Sequence, residues 1–188
     1  VEGYGGLYAD PAQVRELADA LAATGLTMPT GHFGLDMLES DPARVLEIAK
    51  ALSIETISCP YLLPAAQPDT GAGWHAFGQR LQEAGKPYRD AGLGFGWHNH
   101  DFEFVRTADG AIPQVAIFEG GPDLEWEADL AWVVRGGGDP ARRRGPARPA
   151  TGGIPAVRDA EPLPRMRRGR GAVRGRGGVA LRQPRVPG

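Results

Sequence analysis

Gly92-Leu93-Gly94-Phe95-Gly96-Trp97-His98-Asn99-His100-Asp101-Phe102-Glu103-Phe104 opens as a buried strand and closes in a knot of ligand-type side chains. Two of the four histidines of the chain, His98 and His100, stand two residues apart in it, so on a strand they point to one face. Glu103 follows, and the set offers neutral nitrogens and a carboxylate oxygen, the donor mix that Zn, Mn, Fe or Co accepts. On a straight strand Glu103 would face away from both histidines. The three converge only if the chain bends near Asp101 and Phe102. Otherwise they hold separate roles, and a strand end with solvated polar groups is the plain alternative, because His-x-His alone is weak evidence. Gly92, Gly94 and Gly96 read as close packing inside the strand, since no Gly-x-Gly-x-x-Gly follows a strand to bind a dinucleotide.

Outward from this stretch, strands and helices alternate. Val1 to Glu2 reads as the end of a strand. Asp10-Pro11 is an N-cap followed by a first-turn proline, and Val14, Leu17, Ala18 and Leu21 form one apolar stripe that ends at Gly25. Leu26 to Met28 reads as a short strand, with Pro29 to Gly34 as the loop after it. The unit then repeats: Asp41-Pro42 caps a helix striped by Val45, Ile48, Ala49 and Leu52, and Ile54 to Cys59 is a strand left through Pro60-Tyr61-Leu62. After a loop rich in Pro, Gly and Ala, Trp74, Phe77 and Leu81 mark a third helix face, which Lys86-Pro87 kinks. A short helix is expected over residues 113–118, a last strand over 124–129, and a helix from Leu130 to Arg135. In the last strand Leu124, Trp126 and Ala128 take one face, and Glu125, Glu127 and Asp129 the other. Such alternation is the mark of a parallel β/α architecture. Glu2, His32, Tyr61, the His98 to Glu103 run and Asp129 all fall at or just past the C-terminal end of a strand, where barrels and open α/β sheets place their ligands.

Composition bounds the rest. At 188 residues one domain is the default. The sequence has no run of 18 apolar residues and no basic-then-apolar leader, and its one cysteine, Cys59, lies in an apolar strand, so a cytoplasmic protein with an inert thiol is expected. The net charge of −2 hides a split: residues 1–140 hold 8 basic and 21 acidic residues, net −13, whereas residues 141–188 hold 13 arginines and two acids, net +11. The second segment has no Phe, Tyr or Trp and reads as a disordered basic tail.

Four stretches carry a resemblance: Pro29-Thr30-Gly31-His32-Phe33-Gly34, Cys59-Pro60-Tyr61-Leu62, Trp97-His98-Asn99-His100-Asp101-Phe102-Glu103-Phe104 and Glu127-Ala128-Asp129-Leu130-Ala131-Trp132. Over residues 1–140 the chain resembles the sugar phosphate isomerase/epimerase family, whose members are xylose-isomerase-like TIM barrels. The resemblance implies an α/β fold, a partial TIM (β/α) barrel of about five of eight units, followed by the Arg/Gly/Pro-rich tail. It implies a divalent metal (Mn, Zn, Mg or Co) with Glu103 and Asp129 as its carboxylate ligands, Glu103 also as a catalytic base, and His32, Tyr61, His98, His100 and Trp132 as residues binding a small-molecule sugar or sugar phosphate. The activity implied is epimerisation or isomerisation by proton transfer next to a carbonyl. The family's later His-Val-Lys-Asp strand and Gly-His-Gly-like turn do not occur after Pro140, so the chain by itself is expected to be inactive. A frameshift in a GC-rich gene would give a tail of this composition, and reading the other frames of the coding DNA tests that origin.

Plainer readings stand beside these. Asp129 sits where the helix from Leu130 needs an N-cap, His32 suits a loop histidine, and Tyr61 and Trp132 suit packing or a pocket wall. A keto-sugar lyase or dehydratase on the same barrel would share metal and base, whereas a metal-dependent repair endonuclease would need more histidines than four. The arginine tail could hold phosphates, but without interleaved aromatics to stack bases nucleic acid is not the expected partner. The sequence leaves the oligomeric state open.

Overall fold

Asp10 and Asp41 do what their position before a proline suggests. Asp10 accepts from Ala12 N at 2.7 Å to open α1 (Pro11–Thr24), and Asp41 accepts from Arg44 N at 3.1 Å to open α3 (Pro42–Leu52), just after the short α2 (Leu35–Ser40). Each such cap contributes about 1 kcal/mol. Gly25 ends α1 in the left-handed conformation at φ 68°, the helix stop glycine adopts without strain. The computed structural model describes residues 1–140; the expected basic tail, residues 141–188, lies outside the described residues.

The five strands are β1 (Glu2–Gly3), β2 (Thr30–His32), β3 (Thr56–Cys59), β4 (Gly94–His98) and β5 (Glu125–Glu127). They form one sheet in the order β1-β2-β3-β4-β5, every neighbouring pair parallel. The connections are helical: α4 (Gly71–Ala84) and α5 (Lys86–Asp90) after β3, α6 (Pro113–Gly120) after β4, and α7 (Leu130–Arg135) after β5. Sequential parallel order with a helix after each strand is five β/α units of a TIM barrel, the expected fold class.

One expected strand is displaced. Residues 26–28 do not pair; β2 begins at Thr30, inside what reads as loop. The Leu-Thr-Met run suggested burial, yet Leu26 is 51% exposed and only Met28 enters the core. The carbonyl of Pro29 accepts from Glu55 N and Thr56 N, so the ladder to β3 starts there and carries His32 to the strand end. The Lys86-Pro87 kink is a full break between α4 and α5.

Register sorts the sheet into two faces. Ile57, Cys59, Phe95 and Trp97 are buried and belong to the core with the helices: Phe77 of α4 meets Trp97 edge-on at 5.3 Å, and Tyr88 of α5 stacks on Phe95 at 5.5 Å. Alternation gives the other face Thr30, His32, Thr56, Ser58, Gly94, Gly96, His98, Glu125 and Glu127, with no large apolar side chain among them. Gly96 is needed there, because a Cβ would run into the backbone carbonyl of Glu125 on the neighbouring strand. Among the described residues no helix is long and apolar enough to cross a membrane.

Candidate metal centre at the strand ends

His32, His98 and Glu127 are each the last residue of their strand, so the pleat that buries Trp97 and Ile57 turns them to the polar face at the C-terminal end of the sheet. Their ligand atoms lie within 4.8 Å of one another. His32 Nε2 is 2.6 Å from Glu127 Oε2, and His98 Nδ1 is 3.2 Å from the same oxygen. The second approach lacks the alignment of a hydrogen bond, so His98 Nδ1 is buried with no partner. The two imidazole rings lie 4.8 Å apart. Glu2, on β1, joins from the far side: its Oε1 accepts from Thr30 Oγ1 at 2.8 Å and stands 3.5 Å from His32 Nε2.

The electrostatics follow from this crowding. Burial would push the Glu127 carboxyl up, but hydrogen bonding to His32, the approach of His98 and the Glu2 carboxyl outweigh it and hold Glu127 well below the usual carboxylate range. Glu2 moves the opposite way, chiefly because it shares a hydrogen bond with Glu127 and secondarily through burial. Burial works against a charged His32, yet the bond and charge of Glu127, helped by the charge of Glu2, leave its pKa raised. Two imidazole nitrogens and one carboxylate oxygen converge, and one of those nitrogens, His98 Nδ1, is buried without a hydrogen bond. This donor set fits Zn, Mn or Co.

The other expected site residues fall into two groups. Tyr61, His100 and Trp132 do come together: the His100 ring lies 5.0 Å from Tyr61, 5.1 Å from Trp132 and 5.2 Å from His98. Tyr61 is 40% exposed, so this aromatic wall is open to solvent beside the His98 site. Burial, then the neighbouring His98 charge, lowers the His100 pKa, which keeps that ring neutral. Glu103 and Asp129 have other partners. The chain does bend where convergence required, in a 3-10 turn at Phe102–Phe104, but the bend turns Glu103 inward. Glu103 is fully buried, with Oε1 accepting from Trp97 Nε1 at 3.0 Å and Oε2 from His100 N at 2.9 Å. Asp129 Oδ1 caps α7, accepting from Ala131 N and Trp132 N at 2.9 and 3.1 Å. Neither belongs to the group whose ligand atoms converge.

Glu127 is the residue that sequence reasoning passed over. Its signal was present: alternation in the last strand puts it on one face with Asp129, one step nearer the sheet. Cys59 is buried as expected, and its thiol is pushed up to about 12 by burial.

No protein-family model and no curated protein matches the sequence. Among solved structures, the fold is similar to that of a sugar phosphate isomerase/epimerase from Parabacteroides distasonis, with a TM-score of 0.62 and 19% identity. The match covers 74% of this chain and 57% of that one, so the chain spans a little over half the length of that protein. At this identity the likeness establishes the fold.

Proposed function

We propose that the chain is of the metal-dependent sugar or sugar phosphate isomerase/epimerase type, with a divalent cation held by His32 Nε2, His98 Nδ1 and Glu127 Oε2. The observation that carries the reading is the convergence of these three ligand atoms within 4.8 Å at the C-terminal end of a parallel sheet. The structural neighbour named as a sugar phosphate isomerase/epimerase supports the substrate class. When bound, the metal polarises a carbonyl and the hydroxyl beside it.

The chain's own residues supply the rest. Tyr61, His100 and Trp132 form the wall against which the apolar face of a sugar ring lies, and neutral His100 adds no charge to it. Glu2, more exposed than Glu127 and 3.5 Å from His32 Nε2, is the carboxyl placed to take a proton from the carbon next to a carbonyl. We do not propose that role for Glu103, because both its oxygens are engaged and no part of it is exposed. Residues 1–140 act as the barrel part, and the basic segment 141–188 lies outside the described residues. The chain alone is expected to turn over slowly or not at all, because the His-Val-Lys-Asp strand and Gly-His-Gly-like turn that the resemblance implies do not occur in residues 141–188.

Calorimetric titration of the purified chain with Zn, Co, Mn and Mg salts tests the proposal. One equivalent should bind, and His32→Ala and Glu127→Gln should each weaken it by about 100-fold or more, the scale on which losing a ligand outweighs losing its support. No binding, or binding that both variants leave intact, refutes the site. With a panel of keto-sugars, epimers among the products support proton transfer, and unsaturated or shortened products assign the metal to a dehydratase or lyase instead.

A further inference from the structure

Asn99 is fully buried between two histidines at the polar end of β4. A buried amide is costly unless its polar atoms are partnered, and here they are. Its Oδ1 accepts from Trp126 Nε1 at 2.8 Å and from Asp129 N at 3.1 Å, and its Nδ2 donates to Asp129 O at 3.0 Å. The remaining Nδ2 contact, His100 O at 3.4 Å, is local. The first three bonds all cross from the end of β4 to β5 and its exit. They bracket Glu127, fastening the residue before it and the residue two after it, while Glu127 itself pairs with His98 across the ladder.

This fastening matters because β5 is short. Its ladder to β4 has three registered pairs, and among the described residues no strand pairs with its other side. The backbone ladder stops at His98 and Glu127, which are the residues that must be held in place. Glu103 secures the opposite flank of the same turn through Trp97 Nε1 and His100 N, so the chain on both sides of His98 is tied down.

We propose that Asn99 is a positioning residue for the His98–Glu127 pair: its side-chain amide, bridging the ends of β4 and β5, sets how closely His98 Nδ1 and His32 Nε2 approach Glu127 Oε2. The position needs an acceptor for two N–H groups and a donor for one carbonyl on one short side chain, which asparagine supplies and aspartate does not. In Asn99→Asp an anionic oxygen would face the Asp129 carbonyl. Trp126→Phe removes only one of the three cross-strand bonds.

The test has a metal-free arm and a metal arm, and only the second rests on the proposed metal site. In the metal-free arm, the proton between His32 Nε2 and Glu127 is followed by NMR; a 2.6 Å bond places its resonance far downfield. Asn99→Asp should lose this signal or move it upfield, and Trp126→Phe should move it less in the same direction, both variants keeping the wild-type far-ultraviolet circular dichroism and a cooperative thermal unfolding transition. In the metal arm, Asn99→Asp should bind Co(II) about tenfold more weakly, with an altered visible absorption band, the effect expected of losing support behind a ligand. A folded Asn99→Asp protein with the proton resonance at its wild-type position overturns the proposal, as does a wild-type protein that lacks the resonance. If Asn99→Asp does not fold, Trp126→Phe decides by the same signal. A wild-type chain that binds no Co(II) removes the metal reading alone, and the proton resonance still decides the role of Asn99.

Discussion

Glu103→Gln separates a buried structural acid from a reactive one, and its effect should depend on pH. Burial pushes the Glu103 carboxyl from its ordinary 4.5 up to about 7, against the pull of its own backbone N–H, of His100 N, of Trp97 Nε1 and of the His98 charge. Between those two values the folded chain binds the proton more tightly than the unfolded chain. The acid therefore contributes stability that is fully present below pH 4.5 and is lost as pH rises through about 7. At about 1.4 kcal/mol per unit the full span is about 3 kcal/mol, of which about 2.5 kcal/mol falls between pH ~5 and pH ~8. Glutamine keeps one acceptor for Trp97 or His100 and cannot ionise; it leaves the other N–H facing an NH2 group, at a cost of about 1–3 kcal/mol independent of pH. Urea unfolding of both proteins near the two pH values gives the four free energies required. The wild-type advantage over Glu103→Gln should shrink by about 2.5 kcal/mol on going from the acid to the alkaline condition. All other titrating groups, including Glu2, His32 and Glu127, are common to both proteins and cancel. An advantage that is the same at both pH values within about 0.5 kcal/mol refutes the claim that this carboxyl is held uncharged by burial.

Asp129→Ala should cost about 1 kcal/mol, the loss of the α7 cap, in thermal unfolding. The same variant should leave Co(II) affinity within a few-fold of wild type; loss by about 100-fold would make Asp129 a ligand after all. Cys59 should resist a soluble thiol reagent at neutral pH until the chain is unfolded, because it is buried and its pKa is pushed up to about 12. Rapid modification of the native protein would show that the β3 end opens.

How much of this was legible depends on whether a signal is local. Helix starts were readable because a cap acts within a few residues: Asp10, Asp41 and Asp129 each precede a helix and accept from its first turn. Strand β2 was misplaced by the same kind of reading. Thr30-Gly31-His32 has no apolar alternation, and what makes it a strand is its partner, Thr56 to Ser58, across a helix. The aromatic wall was partly legible, since Tyr61, His100 and Trp132 follow consecutive strand ends. The ligand group was legible only in part: His32 and His98 stood out at strand ends, but their convergence with Glu127 comes from register across three strands. Glu103 shows why a motif is a poor guide to direction. A carboxylate three residues past a histidine reads as a ligand, but the 3-10 turn rotates it into the core, where Trp97 and His100 N supply its partners.

The polar face of the sheet connects these points. A barrel strand usually turns bulky branched side chains inward, so that the interior is filled. Here the corresponding positions of β2 to β4 are threonine, serine, glycine and histidine, which cannot fill it, and the helix-facing positions Ile57, Phe95 and Trp97 carry the core instead. Without interior packing, the relative position of the strand ends is left to hydrogen bonds. It is at those ends that buried side chains of unusual polarity are found: Asn99 and Glu103 are both fully buried and both partnered on each side of His98. A site whose ligands come from three separate strands, one of them the short β5, needs such braces. Their loss should disturb the His32–His98–Glu127 geometry before it disturbs the core.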